Sequence, residues 1–197
     1  MCDKPLDFND FEKVGGHDGL GVKLVIGRFL EEGLIKFIQM ELNNSQRGDD
    51  YLVGSGQVPR KNKNDKQCDL LVVEKRTDKY CHYKIGNISI PYQPDIIRLI
   101  VEVKTGIGKT EARNAIKDYK DSLENGCPLL IFGVFEPKKE IIESWKKDFK
   151  KEKEIGEKVM EHVHLILYKC KIKCESSTPN TKWKDELRYL LKKCLKI

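Results

Sequence analysis

The stretch Ile96-Ile97-Arg98-Leu99-Ile100-Val101-Glu102-Val103-Lys104 decides the fold, because a mainly apolar run of strand length ends there on two charged residues. An earlier run, Asp69-Leu70-Leu71-Val72-Val73, begins with an acid. Apolar runs of this length predict buried strands. Residues two apart on a strand share a face, so Glu102 and Lys104 point the same way. If the two strands are neighbours, Asp69 joins them at the end of a mostly buried sheet.

Two carboxylates and one ammonium at such a position form a candidate site. Burying charge has a free-energy cost unless the charges pair or bind a metal. A divalent cation is the simplest partner for two carboxylates, and it leaves the lysine close to a bound water. The pattern therefore favours metal-dependent chemistry at Asp69, Glu102 and Lys104.

The arrangement Asp69…Glu102-Val103-Lys104 resembles the PD-(D/E)xK nuclease superfamily, which includes many restriction and repair endonucleases. Cys68 stands where the superfamily name has proline. The two acids are far apart in sequence, so residues 76–95 are expected to form an ordered loop or a short hairpin between the strands. The resemblance covers residues 20–170. It implies a metal-dependent endonuclease that hydrolyses phosphodiester bonds, with DNA as the expected substrate, in host defence or restriction.

The resemblance also implies a role for each residue of the motif. Asp69 and Glu102 would bind Mg²⁺ or Mn²⁺ through carboxylate oxygens, and the carbonyl of Val103 would complete the protein ligands. The metal would lower the pKa of a water and offset charge on the phosphate. Lys104 would orient that water and stabilise the pentavalent phosphorus state.

Residues around the motif extend the candidate site. Many relatives add a glutamate from the first helix, and helical phase selects Glu31, on an apolar stripe, over Glu32, on a polar face. Some relatives carry a glutamine and, four residues later, a tyrosine on the following helix. Tyr119 matches the tyrosine, and Ala115 replaces the glutamine. Nucleic-acid contacts are expected from polar and basic residues that flank the site: Gln67, Arg60, Lys61, Lys109 and Arg113.

Composition fits this interpretation. A chain of 197 residues is expected to form one domain, residues 20–197, after a loosely structured lead-in at 1–19. The formal net charge of +6 suits a polyanionic partner, although a lysine-rich surface alone explains it equally well. The sequence has no apolar run long enough to span a membrane, and its first residues lack the apolar core expected of a signal peptide. Seven scattered cysteines favour reduced thiols in a cytoplasmic protein. A homodimer or a complex with a partner protein is expected.

Periodicity predicts the order of the elements. It indicates helices at 20–42, 110–123 (capped by Thr110), 138–160 and 182–195, and strands at 51–58, 67–75, 96–104, 129–135 and 162–170. This order contains the αβββαβ core that the resemblance implies. The expected fold class is therefore α/β and restriction-endonuclease-like, a mixed central sheet flanked by helices.

Gly106-Ile107-Gly108-Lys109-Thr110 supports a competing interpretation, because a phosphate-binding loop also lies between a strand and a helix. The full pattern GxxxxGK[ST] requires a glycine at position 103, where the chain has valine. Glu136 would supply the second motif of a nucleotide hydrolase. Under that hypothesis, substituting Lys109 abolishes nucleotide binding.

Two further alternatives remain open. A zinc site would use His162, His164, Cys170 and Cys174, although their spacing matches no common zinc finger. A non-catalytic nucleic-acid-binding or assembly module would keep the same fold and bind DNA without cleaving it.

Overall fold

The computed structural model describes residues 20–61, 63–75, 82–84, 87–89, 94–133, 139–167 and 182–195. The helices are α1 Leu20–Asn43, α2 Lys109–Asp118, α3 Lys120–Glu124, α4 Lys139–Lys151, α5 Gly156–Met160 and α6 Lys182–Leu195. The strands are β1 Tyr51–Val58, β2 Lys66–Glu74, β3 His82–Lys84, β4 Asn87–Ser89, β5 Ile97–Lys104, β6 Leu129–Gly133 and β7 Val163–Leu167. The lead-in predicted for residues 1–19 lies outside the described residues.

The strands form one mixed sheet in the order β3-β4-β1-β2-β5-β6-β7. β2 pairs antiparallel with β1 and β5, whereas β6 runs parallel to β5 and to β7. The mixed sheet flanked by helices that the sequence predicts is confirmed. The adjacency of β2 and β5, on which the candidate site depends, is confirmed as well.

Helices cover both faces of the sheet. One core lies under α1 and α6, where Trp183 packs its ring 5.4 Å from that of Phe37 and 5.5 Å from that of Phe132, between centroids. The other core lies under α2 to α5 and contains Tyr119 and Phe149. Every residue of β6 is buried, because its continuous apolar run faces a core on each side.

A bulge in β2 lies beside the candidate site. Gly54 of β1 pairs with Leu71 and Gly56 with Cys68, so β2 places two residues opposite the single residue between the glycines. Asp69 is one of those two. The extra residue shifts by one position the alternation of side chains between the two faces of β2. Cys68 and Leu71 therefore both pack in the core under α2 to α5. The bulge therefore sets the direction of the Asp69 side chain, as bulges beside active sites commonly do.

Gly56 is required by the close approach of β4. A Cβ atom at Gly56 would lie 2.5 Å from the carbonyl oxygen of Ile88 and 2.7 Å from Cδ1 of Leu71. We expect Gly56→Ala to lower the free energy of unfolding by about 1–3 kcal/mol, the usual cost of overpacking. Gly106→Ala is the matched control, because its Cβ would meet nothing within 4 Å. Urea unfolding measures both, and equal effects of the two substitutions would contradict the steric argument.

The start of α2 differs from the prediction. Gly108 occupies the N-cap with an extended backbone (φ −103°, ψ 167°), and the helix begins at Lys109. Thr110 therefore lies inside the first turn, so the prediction that it caps the helix is wrong. The reason is local, because the glycine already holds the extended conformation that a cap requires.

Two helices predicted as continuous are each divided in two. The helix expected at 110–123 breaks at Tyr119, which lies between α2 and α3. The helix expected at 138–160 breaks into α4 and α5, where Gly156 has a positive φ of 74°. A left-handed residue interrupts the run of helical hydrogen bonds, and glycine adopts that conformation readily.

The remaining strands agree with the predictions in the described ranges. β3 and β4 pair antiparallel as the short hairpin expected within 76–95, and β4 also joins the sheet beside β1. The distal ends of the strands predicted at 129–135 and 162–170 lie outside the described residues. No helix in the described ranges combines the length and apolar content that crossing a bilayer requires.

Candidate active site

The candidate site lies where the start of β2 meets the end of β5. Leu70 pairs with Val101, which places Asp69 beside Glu102 on the neighbouring strand. The backbone N–H of Val103 donates to Oδ2 of Asp69 at 2.7 Å. The side chain of Asp69 therefore reaches β5 and accepts a backbone hydrogen bond that a carbonyl oxygen would otherwise accept.

Glu102 is a buried acid whose two oxygens are both hydrogen-bonded. Only 5% of its surface is exposed. Lys104 Nζ donates to Oε2 at 2.6 Å, and the hydroxyl of Tyr119 donates to Oε1. These contacts offset the cost of burying the carboxylate. The prediction that Glu102 and Lys104 point the same way is confirmed.

Asp69 lies in an unfavourable electrostatic environment. Burial raises its pKa, and so does the negative charge of Glu102, while the Val103 N–H and Lys104 act in the opposite direction. The two acids are neighbours on paired antiparallel strands. Two such acids beside one ammonium leave an excess of negative charge, which a divalent cation would neutralise.

Lys104 is held in its charged form. Burial lowers its pKa, but the hydrogen bond and charge of Glu102 outweigh that effect, and Asp69 and Asp118 add to it, so the pKa is raised overall. Lys104 therefore acts at neutral pH as a cation and hydrogen-bond donor rather than as a proton acceptor.

Glu31 of α1 lies within electrostatic reach of the same acids. Burial raises its pKa first, and the charge of Asp69 raises it further, with a smaller contribution from Glu102. Gly27, one turn earlier on α1, faces Thr105 directly after β5, with 3.7 Å between its hypothetical Cβ and Cγ2 of Thr105. Glu32 is exposed. These positions agree with the prediction from helical phase that Glu31, and not Glu32, lies on the side of α1 that faces the sheet.

The basic residues predicted to contact phosphate are mostly engaged by acids. Each of three cations pairs with a carboxylate from another element: Arg60 with Asp118 (3.2 Å), Lys109 with Asp148 (2.5 Å) and Arg113 with Glu152 (2.8 Å). A phosphate would have to compete with these partially exposed acids.

Lys61 and Gln67 complete the predicted contacts. The side chain of Lys61 is exposed, while its backbone N–H donates to Asp121 at 2.8 Å. Gln67 is exposed too, and its backbone carbonyl lies 3.2 Å from the hydroxyl of Tyr119. The bulge after Cys68 interrupts the alternation of side chains between Gln67 and Asp69.

Sequence reasoning named Tyr119 by its spacing alone and missed Asp118. The structure shows that Tyr119 contacts Glu102 directly. Asp118, beside it, pairs with Lys66 at 2.8 Å and helps to raise the pKa of Lys104. No sequence signal indicated Asp118, because its partners Arg60, Lys66 and Lys104 lie in other parts of the chain.

The donor chemistry fits Mg²⁺ or Mn²⁺. Hard cations prefer oxygen ligands, and Mg²⁺ is commonly held by one or two carboxylates with waters and substrate phosphates. Asp69 and Glu102 are such a pair. In the described parts of the chain, no group of three or more His, Cys, Asp or Glu side chains is arranged to hold a metal. Two carboxylates would fill only part of the octahedral shell of Mg²⁺, and waters and substrate oxygens would fill the rest.

The phosphate-loop alternative is disfavoured by Glu111. Its carboxylate folds back against Gly108, at the N-terminus of α2, where a bound phosphate would lie. Lys109 reaches away to Asp148. Glu136, the second residue of that hypothesis, lies outside the described residues.

The zinc alternative receives no support in the described ranges. His162 and His164 lie at the start of β7, where no cluster of metal-binding side chains forms among the described residues. Cys170 and Cys174 lie outside them.

His164 is expected to make stability depend on pH. Burial, with the charges of Lys193 and His162, lowers its pKa from 6.5 to about 4. The unfolded chain therefore binds more protons between these values, so stability is lost as pH falls from 6.5 towards 4. For this half-buried ring the loss is on the order of 1 kcal/mol after solvent screening. Urea unfolding at several pH values should show a flatter profile for His164→Gln than for His162→Gln; identical profiles would contradict the prediction.

The comparisons with known proteins identify the fold. No family profile matches the sequence, and no curated protein matches it either. Among solved structures, NucC of P. aeruginosa ATCC27853 in its cAAA-bound form superposes with a TM-score of 0.53, at 12% identity, over 94% of this chain and 88% of that chain. The chain has the restriction-endonuclease-like fold. NucC is a nuclease of the PD-(D/E)xK type, so the predicted resemblance is confirmed at the level of the restriction-endonuclease-like fold.

NucC of E. coli MS115-1 also matches in two forms. The cAAA-bound form has a TM-score of 0.39 at 13% identity, over 71% of this chain and 73% of that chain. The apo form has a TM-score of 0.43 at 13% identity, over 84% of this chain and 91% of that chain.

Proposed function

We propose that this chain is a metal-dependent nuclease that hydrolyses phosphodiester bonds in DNA. One observation carries the proposal: Asp69 and Glu102 lie side by side on paired strands, and Lys104 donates to the carboxylate of Glu102. This combination supplies oxygen ligands for a hard cation and a fixed positive charge for a phosphate. The restriction-endonuclease-like fold, shared with NucC, supports it.

Each residue has a defined part in the proposed reaction. Asp69, Glu102 and the carbonyl of Val103 would hold Mg²⁺ or Mn²⁺. When bound, the metal would offset charge on the scissile phosphate and lower the pKa of a water. Lys104 would donate hydrogen bonds that orient this water and stabilise charge at the phosphorus centre. Glu31, with its raised pKa, would accept a proton more readily than an ordinary carboxylate.

Phosphate contacts outside the catalytic residues would position the substrate. We retain Gln67, Arg60, Lys61, Lys109 and Arg113 as the proposed contacts. Three of the cations among them already pair with carboxylates. DNA phosphates would therefore have to displace these carboxylates in order to bind. Binding through such contacts weakens as salt is raised.

A cleavage assay tests the proposal. Supercoiled plasmid, single-stranded DNA and RNA are incubated with wild-type protein in Mg²⁺, Mn²⁺ or a chelator, beside Asp69→Ala and the control Asp65→Ala at an exposed position. We expect metal-dependent cleavage of DNA by wild type and the control, and none by Asp69→Ala. DNA binding without cleavage under any metal would instead identify a non-catalytic module.

The biological setting is part of the proposal. We place the protein in the cytoplasm, in host defence or restriction, acting as a homodimer or with a partner protein. Because the P. aeruginosa NucC structure is a cAAA-bound form, the cleavage assay includes an arm with this nucleotide. Light scattering with and without cAAA measures the mass. A strictly monomeric protein in both conditions would rule out the homodimer.

A further inference from the structure

Tyr119 joins the two strands that form the candidate site. It lies between α2 and α3 with 1% of its surface exposed. Its hydroxyl oxygen lies within hydrogen-bonding distance of Oε1 of Glu102 and 3.2 Å from the carbonyl oxygen of Gln67. One phenol therefore contacts β5 through an acid and β2 through its backbone.

The two oxygens of Glu102 have different partners. Tyr119 holds Oε1 from inside the core, and Lys104 contacts Oε2 at 2.6 Å. With Oε1 fixed, the carboxylate plane cannot turn freely, and Oε2 stays directed towards the partly exposed Lys104. On the basis of the proposed nuclease function, we propose that Tyr119 is a positioning residue that fixes Glu102 to bind the metal through Oε2.

The direction of the hydrogen bond follows from the environment of the phenol. Burial and the charge of Glu102 raise the pKa of Tyr119, so the hydroxyl stays protonated and donates. It has one proton for two acceptors. The carboxylate is the stronger acceptor, because charge-assisted hydrogen bonds exceed neutral ones in strength. Residues that hydrogen-bond metal ligands typically contribute 10–100-fold to metal affinity or activity.

Tyr51 offers a matched control. Its hydroxyl is also buried and donates to the carbonyl oxygen of Leu195 at 2.5 Å. Tyr51 pairs with Glu74, at the opposite end of β2 from Asp69. Tyr51→Phe and Tyr119→Phe each remove one buried phenol hydroxyl, and only Tyr119→Phe removes a partner of the proposed metal ligand.

Calorimetric titration with Mn²⁺, in the absence of nucleic acid, tests the proposal. We expect Tyr119→Phe to bind Mn²⁺ about 10–100-fold more weakly than wild type. Tyr51→Phe should bind like wild type, even if both variants lose stability. Equal Mn²⁺ affinity of Tyr119→Phe and wild type would show that the tyrosine only fills the core, and the proposal would be overturned.

A second measurement covers the case in which Tyr119→Phe does not fold. In wild-type protein, the hydroxyl proton shared with Glu102 should give a downfield proton resonance that shifts when Mg²⁺ is added. A resonance that does not respond to Mg²⁺ would overturn the proposal.

The outcomes separate this proposal from the nuclease proposal. Weakened metal binding by Tyr119→Phe with no cleavage by wild type supports positioning and rejects the nuclease. Cleavage by wild type with unchanged metal binding by Tyr119→Phe rejects positioning alone. Failure of wild type to bind either metal rejects both.

Discussion

Asp69→Asn is expected to abolish cleavage and, in the same protein, to raise the stability of the metal-free fold. The asparagine keeps an oxygen that can accept the Val103 N–H, but it removes the negative charge beside Glu102. Loss of a metal ligand should lower cleavage by about 10³-fold or more, because metal stabilisation of the transition state amounts to several kcal/mol. Relief of the repulsion between the two acids should raise the midpoint temperature of unfolding.

The pH dependence of this gain follows from the sign of the pKa shift. Since the pKa of Asp69 is raised in the folded protein, its ionised form destabilises the fold at neutral pH. The advantage of Asp69→Asn should therefore be present at neutral pH. It should decline as pH falls below the folded-state pKa of Asp69 and vanish near the lower pKa of the unfolded chain, where Asp69 is protonated in both states.

Thermal unfolding in chelator, from neutral to acidic pH, measures the difference between Asp69→Asn and wild type. Asp65→Asn serves as the control, because Asp65 is exposed just before β2. If Asp69→Asn proved less stable than wild type at neutral pH, the hydrogen bond to Val103 would outweigh the repulsion, and the argument for an electrostatically strained pair would be wrong.

Helices and strands were predictable from the sequence where a local pattern marks their ends. β1 and α6 have the predicted ends, because apolar periodicity and turn residues mark both elements. The breaks at Tyr119 and Gly156 were missed, since a helix can stop wherever tertiary packing outweighs propensity. The parallel pairing of β4 with β1 joins segments far apart in sequence, and no local pattern specifies such a pairing.

The site was predictable in part for the same reason. Glu102 and Lys104 share a face by strand alternation, which is a local property. The position of Asp69 depends on the β2 bulge, which exists only relative to a partner strand. The contact between Tyr119 and Glu102 depends on where a helix breaks. The acids that pair with Arg60, Lys109 and Arg113 are distant in sequence, so no local pattern indicated them.

Lys104→Ala is expected to lower cleavage and tighten metal binding. The ammonium lies 2.6 Å from Oε2 of Glu102, the oxygen proposed to bind the metal, so it competes with the cation for that oxygen. Removing it frees Oε2 and leaves Asp69 and Glu102 uncompensated. Lys104 is 31% exposed, and solvent screening limits the gain to about tenfold in metal affinity. Loss of the fixed positive charge at the phosphate should lower cleavage by about 10²–10³-fold.

Cleavage at saturating Mn²⁺ and calorimetry without DNA measure the two effects separately. Lys75→Ala, just past the far end of β2 and exposed, controls for the loss of one lysine charge and should change neither. Tyr119→Phe provides the opposite comparison. Tyr119 and Lys104 both contact Glu102, but Tyr119→Phe should weaken Mn²⁺ binding, whereas Lys104→Ala should tighten it. Weaker Mn²⁺ binding by Lys104→Ala would mean that the lysine supports the metal ligands instead of competing for them.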